Sequence, residues 1–136
     1  MTLHLLDTDA VIDFLHGVAD SVALLQRLSR QRNRLFTCDI VIAEVFSGLM
    51  PNDGAQGWQF LTALEFLPAS SAASRQAGEW RYDYARRGTQ LSTTDCLIAA
   101  IAVEHQAPLV TGNRRDFPMP ELTVVPLPRQ EDSTRQ

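Results

Sequence analysis

Four carboxylates, Asp7, Glu44, Asp95 and Asp116, each stand at the edge of an apolar segment and lie far apart in the chain. An ionised acid against an apolar wall is costly to keep charged unless a cation neutralises it. Such a set reads as a pocket of hard oxygen donors, the preferred ligands of Mg2+ or Mn2+. Each acid has a local alternative. Asp95 also suits a helix N-terminus, Asp116 a turn, and Asp7 competes with Asp9 to cap the first helix. Glu44 is the hardest to explain locally, being the only charged residue between Asp39 and Asp53, amid Ile40, Val41, Ile42, Val45 and Phe46.

The elements that must position these acids alternate along the chain. Leu3 to Leu6 reads as a buried strand, and Asp7-Thr8-Asp9 opens a helix to about His16. A second helix from about Asp20 turns Val22, Leu25 and Leu28 inward and ends in the polar stretch 30–34. A strand follows at Leu35 to Thr37. Asp39 is placed to cap a helix from Ile40 to about Leu49, and Pro51-Asn52-Asp53-Gly54 supplies turn chemistry. A short helix carries Trp58 and Leu61, and Glu65 to Leu67 fits a strand. Ala73, Ala77, Trp80 and Tyr84 fall at helical spacing, in a helix that stops at Gly88. Ser92 and Asp95 are spaced as a capping box before eight apolar residues, Cys96 to Val103. Strands at Leu109 to Thr111 and Thr123 to Val125 complete the pattern.

Helices alternating with short apolar strands imply an α/β fold, a mostly parallel sheet of about five strands covered on both faces. In such sheets ligands lie beyond the carboxyl ends of the strands, where the strand order reverses. Asp7 and Asp116 follow strands, Asp95 opens a helix, and Glu44 sits one turn into another, so all four can share that end.

Composition limits the partners and the compartment. At 136 residues, 45% of them hydrophobic and 21% charged, the chain reads as one soluble domain over residues 1–128, with a polar, disordered tail at 129–136. No apolar run approaches a membrane span and no signal-peptide pattern opens the chain, which leads to a cytoplasmic expectation. Cys38 and Cys96 read as reduced core thiols, and His4, His16 and His105 lack zinc-ligand spacing. The net charge is −4, and setting the four acids aside leaves 12 acidic against 12 basic residues. The four acids of the site are thus enough to account for the net charge. All 12 basic residues are arginine. Arginine suits phosphate, although host codon bias is the simpler reason for the absence of lysine.

Three stretches carry a family resemblance: LLDTDAVIDFL at the start, IAEVFSGL in the middle, and LSTTDCLIAAIAVEHQAPLVTGNRRDF near the end. With the valine-rich last strand, they make the chain resemble the PIN-domain ribonucleases, specifically the VapC toxins of bacterial toxin–antitoxin pairs. The resemblance implies a three-layer α/β/α PIN fold and a Mg2+- or Mn2+-dependent endoribonuclease. It places the family's four acids on Asp7, Glu44, Asp95 and Asp116. Asp7, Asp95 and Asp116 would then be metal ligands, with Glu44 holding or deprotonating a water. Thr8, Thr111 and Asn113 match polar positions that orient ligands or water. Asp9 departs mildly, standing where the family often has asparagine or another small polar residue; it would add a charge just behind the ligands and leaves the four acids intact. A VapB-type antitoxin and a homodimer are implied as partners, with RNA as substrate.

An acidic pocket must still attract a polyanion, and Arg114 and Arg115 are candidate phosphate contacts, ahead of Arg86 and Arg87. Two other classes fit parts of the pattern. An aspartate-based phosphatase would use Asp7 as nucleophile and Asp9 as acid, and a phospho-acceptor receiver also places aspartates after strands. Both normally need a lysine near the phosphoryl group, and neither explains Glu44. A non-cleaving PIN-fold module that binds RNA or protein remains the alternative, separable by metal-dependent turnover.

Overall fold

In the computed structural model, which describes residues 2–49 and 53–128, five strands form one wholly parallel sheet in the order β3-β2-β1-β4-β5. The strands are β1 (Leu3–Leu6), β2 (Arg34–Thr37), β3 (Glu65–Phe66), β4 (Leu109–Thr111) and β5 (Val124–Pro126). Parallel neighbours require crossovers, and helices supply them on both faces. These are α1 (Thr8–Leu15), α2 (Ala19–Arg30), α3 (Asp39–Gly48), α4 (Gly54–Ala63), α5 (Ser71–Arg86) and α6 (Thr93–Glu104). The link from β4 to β5 carries only a short 3-10 turn, Arg114–Asp116.

The central strands are the most apolar because helices cover both of their faces. Leu5, Leu6, Leu109, Val110 and Thr111 have no exposed surface. β1 aligns Leu5 with Phe36 of β2 on one side and with Leu109 of β4 on the other. α6 buries Cys96, Ile98, Ala99, Ala100, Ile101 and Ala102, since it packs against both α5 and α3. Small alanines on one helix let its neighbours approach closely. The edge strand β3 is two residues long, and Glu65 is paired with Arg34 of β2, which blunts that edge.

Several boundaries differ from the sequence reading. Cys38, not Asp39, is the N-cap of α3, and the Asp39 side chain accepts from the next amide, Ile40 N, at 3.2 Å. α2 starts at Ala19 and buries Leu24 beside Leu25 and Leu28, while Val22 is only half-buried. Gly54 begins α4 rather than belonging to a turn, and Pro51 and Asn52 lie outside the described residues, as does the proposed tail at 129–136. Ser70 caps α5 through its hydroxyl, which accepts from Ala73 N at 3.0 Å. That helix ends as expected at Gly88, whose φ of +87° is easy only for glycine. Among the described residues no helix is long and apolar enough to cross a membrane.

Candidate active site

From β1 the chain moves outward through β2 to β3, then jumps back across β1 to β4 and β5. The strand order therefore reverses between β1 and β4, and the crevice beyond their carboxyl ends is the place where this topology puts ligands. Asp7 directly follows β1 and Gly112 directly follows β4. The Asp7 amide donates to Val110 O at 2.9 Å, so the first acid is stitched to the neighbouring strand.

Asp7 is the N-cap of α1 and only 5% exposed. One carboxylate oxygen, Oδ1, accepts from Thr8 N at 2.8 Å, and Oδ2 accepts from the Thr111 hydroxyl at 2.7 Å. Those bonds favour the charged form, but burial outweighs them, and the carboxylates of Asp9 and Asp95 add repulsion. The net effect pushes the Asp7 carboxyl up to about 7. Thr111 is fully buried and also accepts from Asn113 N at 3.1 Å, so one hydroxyl both aims Asp7 and fixes the loop after β4.

Thr8 opens α1, and its hydroxyl donates to Glu44 Oε1 at 2.8 Å. Glu44 is half-buried, one turn into α3, and this bond explains a lone acid on so apolar a helix: it faces α1. Asp95 sits in the first turn of α6, where Ser92 Oγ accepts from its amide at 3.1 Å. Its carboxyl is raised first by burial and then by the charges of Asp116, Glu44 and Asp9. Coulomb interaction fades with distance, so these shifts mark Asp7, Glu44, Asp95 and Asp116 as one electrostatic neighbourhood, with Asp9 as a fifth member. No ion pair among the described residues involves any of the four expected acids.

Asp116 is exposed on the 3-10 turn beside the equally exposed Arg114 and Arg115. Arg86 and Arg87, the weaker phosphate candidates, lie over their own helix's rings, at 4.5 Å from Tyr82 and 4.2 Å from Tyr84. Trp80 and Tyr84 are core residues, whereas Trp58 is 54% exposed and meets Phe46.

The role of Asp9 goes beyond the sequence reading. Its Oδ2 accepts from Gly112 N at 2.9 Å and from Asn113 Nδ2 at 3.0 Å, tying α1 to the β4 loop. The sequence marked Asp9 only as a candidate cap or extra charge beside Asp7, with nothing to show which loop it would bind. The partner loop lies more than a hundred residues away.

Among the described residues no three His, Cys, Asp or Glu side chains converge closely enough to hold an ion as a set. The donor chemistry nevertheless suits a hard divalent ion, with carboxylates destabilised by mutual repulsion. Mg2+ commonly takes one or two carboxylates and retains several waters, so a closed three-residue shell is not required.

A PIN-domain family model matches residues 4–119. Ribonuclease VapC10 of Mycobacterium tuberculosis is 30% identical over 115 residues, covering 85% of this chain and 86% of the relative. The crystal structure of DNA-bound VapBC from Salmonella typhimurium matches with a TM-score of 0.79 at 26% identity, covering 93% of this chain and 98% of that one. The fold is also that of VapBC2 from Rickettsia felis bound to a promoter DNA fragment, with a TM-score of 0.81 at 23% identity, covering 93% of this chain and all of that one. With a family match running from β1 to beyond the 3-10 turn, and the acids gathered where its sheet reverses order, this chain belongs to the PIN-domain family.

Proposed function

We propose that this chain is a divalent-cation-dependent endoribonuclease and the toxin of a VapBC-type pair. The observation that carries the reading is the carboxylate group at the switch point, where Asp7 is oriented by Thr111 and raised first by burial and then by Asp9 and Asp95. Relatives named VapC ribonucleases support the choice of RNA.

In this reading Asp7 and Asp95 would hold the ion, with Asp116 as a further ligand, directly or through water. A bound Mg2+ or Mn2+ would lower the pKa of an adjacent water and offset negative charge on the phosphate. Thr111 and Thr8 N keep both Asp7 oxygens in place, so the carboxylate does not rotate as the charge around it changes. Glu44, steadied by Thr8, accepts the proton of the attacking water. The water oxygen bonds to phosphorus, the bond to the 3′-oxygen breaks, and that oxygen is protonated from solvent. The products carry a 5′-phosphate and a 3′-hydroxyl. Arg114 and Arg115 contact flanking phosphates, and single-stranded RNA is the expected target because its bases can be splayed out.

A VapB-type antitoxin is the proposed partner, supported by neighbours solved as VapBC complexes. A homodimer and a cytoplasmic setting complete the proposal. One observation favours the alternative of a non-cleaving RNA- or protein-binding module: no three acids among the described residues converge as a set.

Cleavage of total cellular RNA by the purified chain separates the two. The nuclease reading expects discrete fragments with Mg2+ or Mn2+, none with EDTA, and none from folded Asp95→Asn. Intact RNA from folded, metal-supplied, antitoxin-free protein would instead favour the binding module.

A further inference from the structure

The mechanism leaves one contact without a role, the clasp between the start of α1 and the loop after β4. Asp9 Oδ2 takes the amide N–H of Gly112 and a side-chain N–H of Asn113. The backbone N–H of Asn113 goes to Thr111 Oγ1, and the Thr111 hydroxyl goes to Asp7 Oδ2. Asp7 and Asp9 therefore grip residues 111–113 through four linked hydrogen bonds. Beyond Asn113 the chain enters the 3-10 turn, which begins with the Asp116 amide donating to Asn113 O at 2.9 Å. At its far end Phe117 is buried, 3% exposed, while Arg114, Arg115 and Asp116 are all exposed. Packing thus anchors the turn only at Phe117, and the near end depends on the clasp.

We propose that Asp9 is the positioning residue that holds Asp116 and the arginine pair against the carboxylate site, an inference that rests on the nuclease reading above. A carboxylate suits the task because one oxygen serves two N–H donors. Asparagine still offers an oxygen to Gly112 N but brings an NH2 in place of the second oxygen, and alanine offers nothing. The negative charge acts in the same direction, since Asp9 adds a carboxylate two residues from Asp7, bonded to the loop that carries Asp116. A site of higher negative potential binds a divalent ion more tightly. Partners of this kind are commonly worth about 10–100-fold in metal affinity or activity.

The test compares wild type, Asp9→Ala and Asp9→Asn in the full chain, with three readouts. Metal-free amide exchange at Gly112 reports the clasp, calorimetry with Mn2+ alone reports the ion site, and kcat against KM reports the reaction. In Asp9→Ala we expect at least tenfold faster exchange at Gly112 with Leu109 unchanged. Mn2+ affinity should fall about tenfold or more. The loss of RNA cleavage should appear in kcat more than in KM. Asp9→Asn should keep Gly112 protected and recover part of the affinity. Unchanged Gly112 exchange and unchanged Mn2+ affinity in Asp9→Ala overturn the assignment. If Asp9→Ala does not fold, Asn113→Ala, which removes the other arm of the clasp, carries the same comparison with Asp9→Asn. A wild type that binds no Mn2+ and cuts no RNA refutes the nuclease reading instead, and Gly112 exchange then still decides the clasp.

Discussion

Asp7→Asn removes a charge that the fold holds at a cost, so the variant should be more stable than the wild type without metal. The Asp7 carboxyl moves from its ordinary 3.8 to about 7, chiefly through burial and then through Asp9. An acid raised in the folded state binds its proton more tightly there than in the unfolded chain. Its contribution to stability is full below 3.8, declines as pH rises towards 7, and is gone above 7. At 1.36 kcal/mol per pKa unit, the ionised group costs roughly 4 kcal/mol at pH 8. That figure already contains the bonds from Thr111 and Thr8 N, which lower the carboxyl, so asparagine avoids it with no further offset to subtract. The net expectation is a gain of roughly 4 kcal/mol at pH 8, or on the order of 15 °C in Tm. The gain should shrink towards zero by about pH 4, where both forms are neutral. Thermal melts of both proteins in EDTA from pH 4 to 8, read by circular dichroism, give the comparison. Excess Mg2+ should raise the wild-type Tm at pH 8 and leave Asp7→Asn nearly unmoved. A variant less stable than wild type at pH 8, or a difference that does not vary with pH, would refute the reasoning.

Three further outcomes follow from the same geometry. Thr111→Val keeps the shape but leaves Asp7 Oδ2 and Asn113 N without their hydroxyl, so stability should fall by about 1–3 kcal/mol in denaturant unfolding. Because the Thr111 bond lowers the Asp7 carboxyl, its loss should also move the acidic limb of the pH–rate profile upward, and an unmoved limb would count against the link. Glu44→Gln retains an oxygen for the Thr8 hydroxyl, so Tm should hold while kcat falls about 10²–10⁴-fold; wild-type kcat would exclude Glu44 as the base. Replacing Arg114 and Arg115 by glutamine should flatten the salt dependence of RNA binding by roughly 0.7 per lost phosphate contact, and an unchanged slope would place the RNA elsewhere.

The sequence made the elements and the acids legible for the same reason. Buried parallel strands read as short, mostly apolar runs, as in Leu3 to Leu6 and Leu109 to Thr111, and a charge after such a run stands out. Ser92 and Asp95 announced the start of α6 through cap chemistry that is local in the chain. Local chemistry also misled. Asp39 looked like a cap, yet the turn begins one residue earlier at Cys38, whose side chain makes no capping bond. Arg32 and Gln106 adopt φ values of +65° and +54° after α2 and α6, where the usual glycine signal is missing. What lay beyond reach was the pairing of polar groups across the switch point. The bond between Thr8 and Glu44 spans 36 residues and that between Asp9 and Gly112 spans 103, so only the folded sheet brings them together.

The most direct test of the central claim is the chemistry of the cut ends. A labelled single-stranded RNA that the chain cleaves should yield 5′-phosphate and 3′-hydroxyl termini, with cleavage requiring Mg2+ or Mn2+ and abolished by Asp7→Asn. Cyclic 2′,3′-phosphate ends, or cleavage that persists in EDTA, would contradict a carboxylate-held ion activating water for attack.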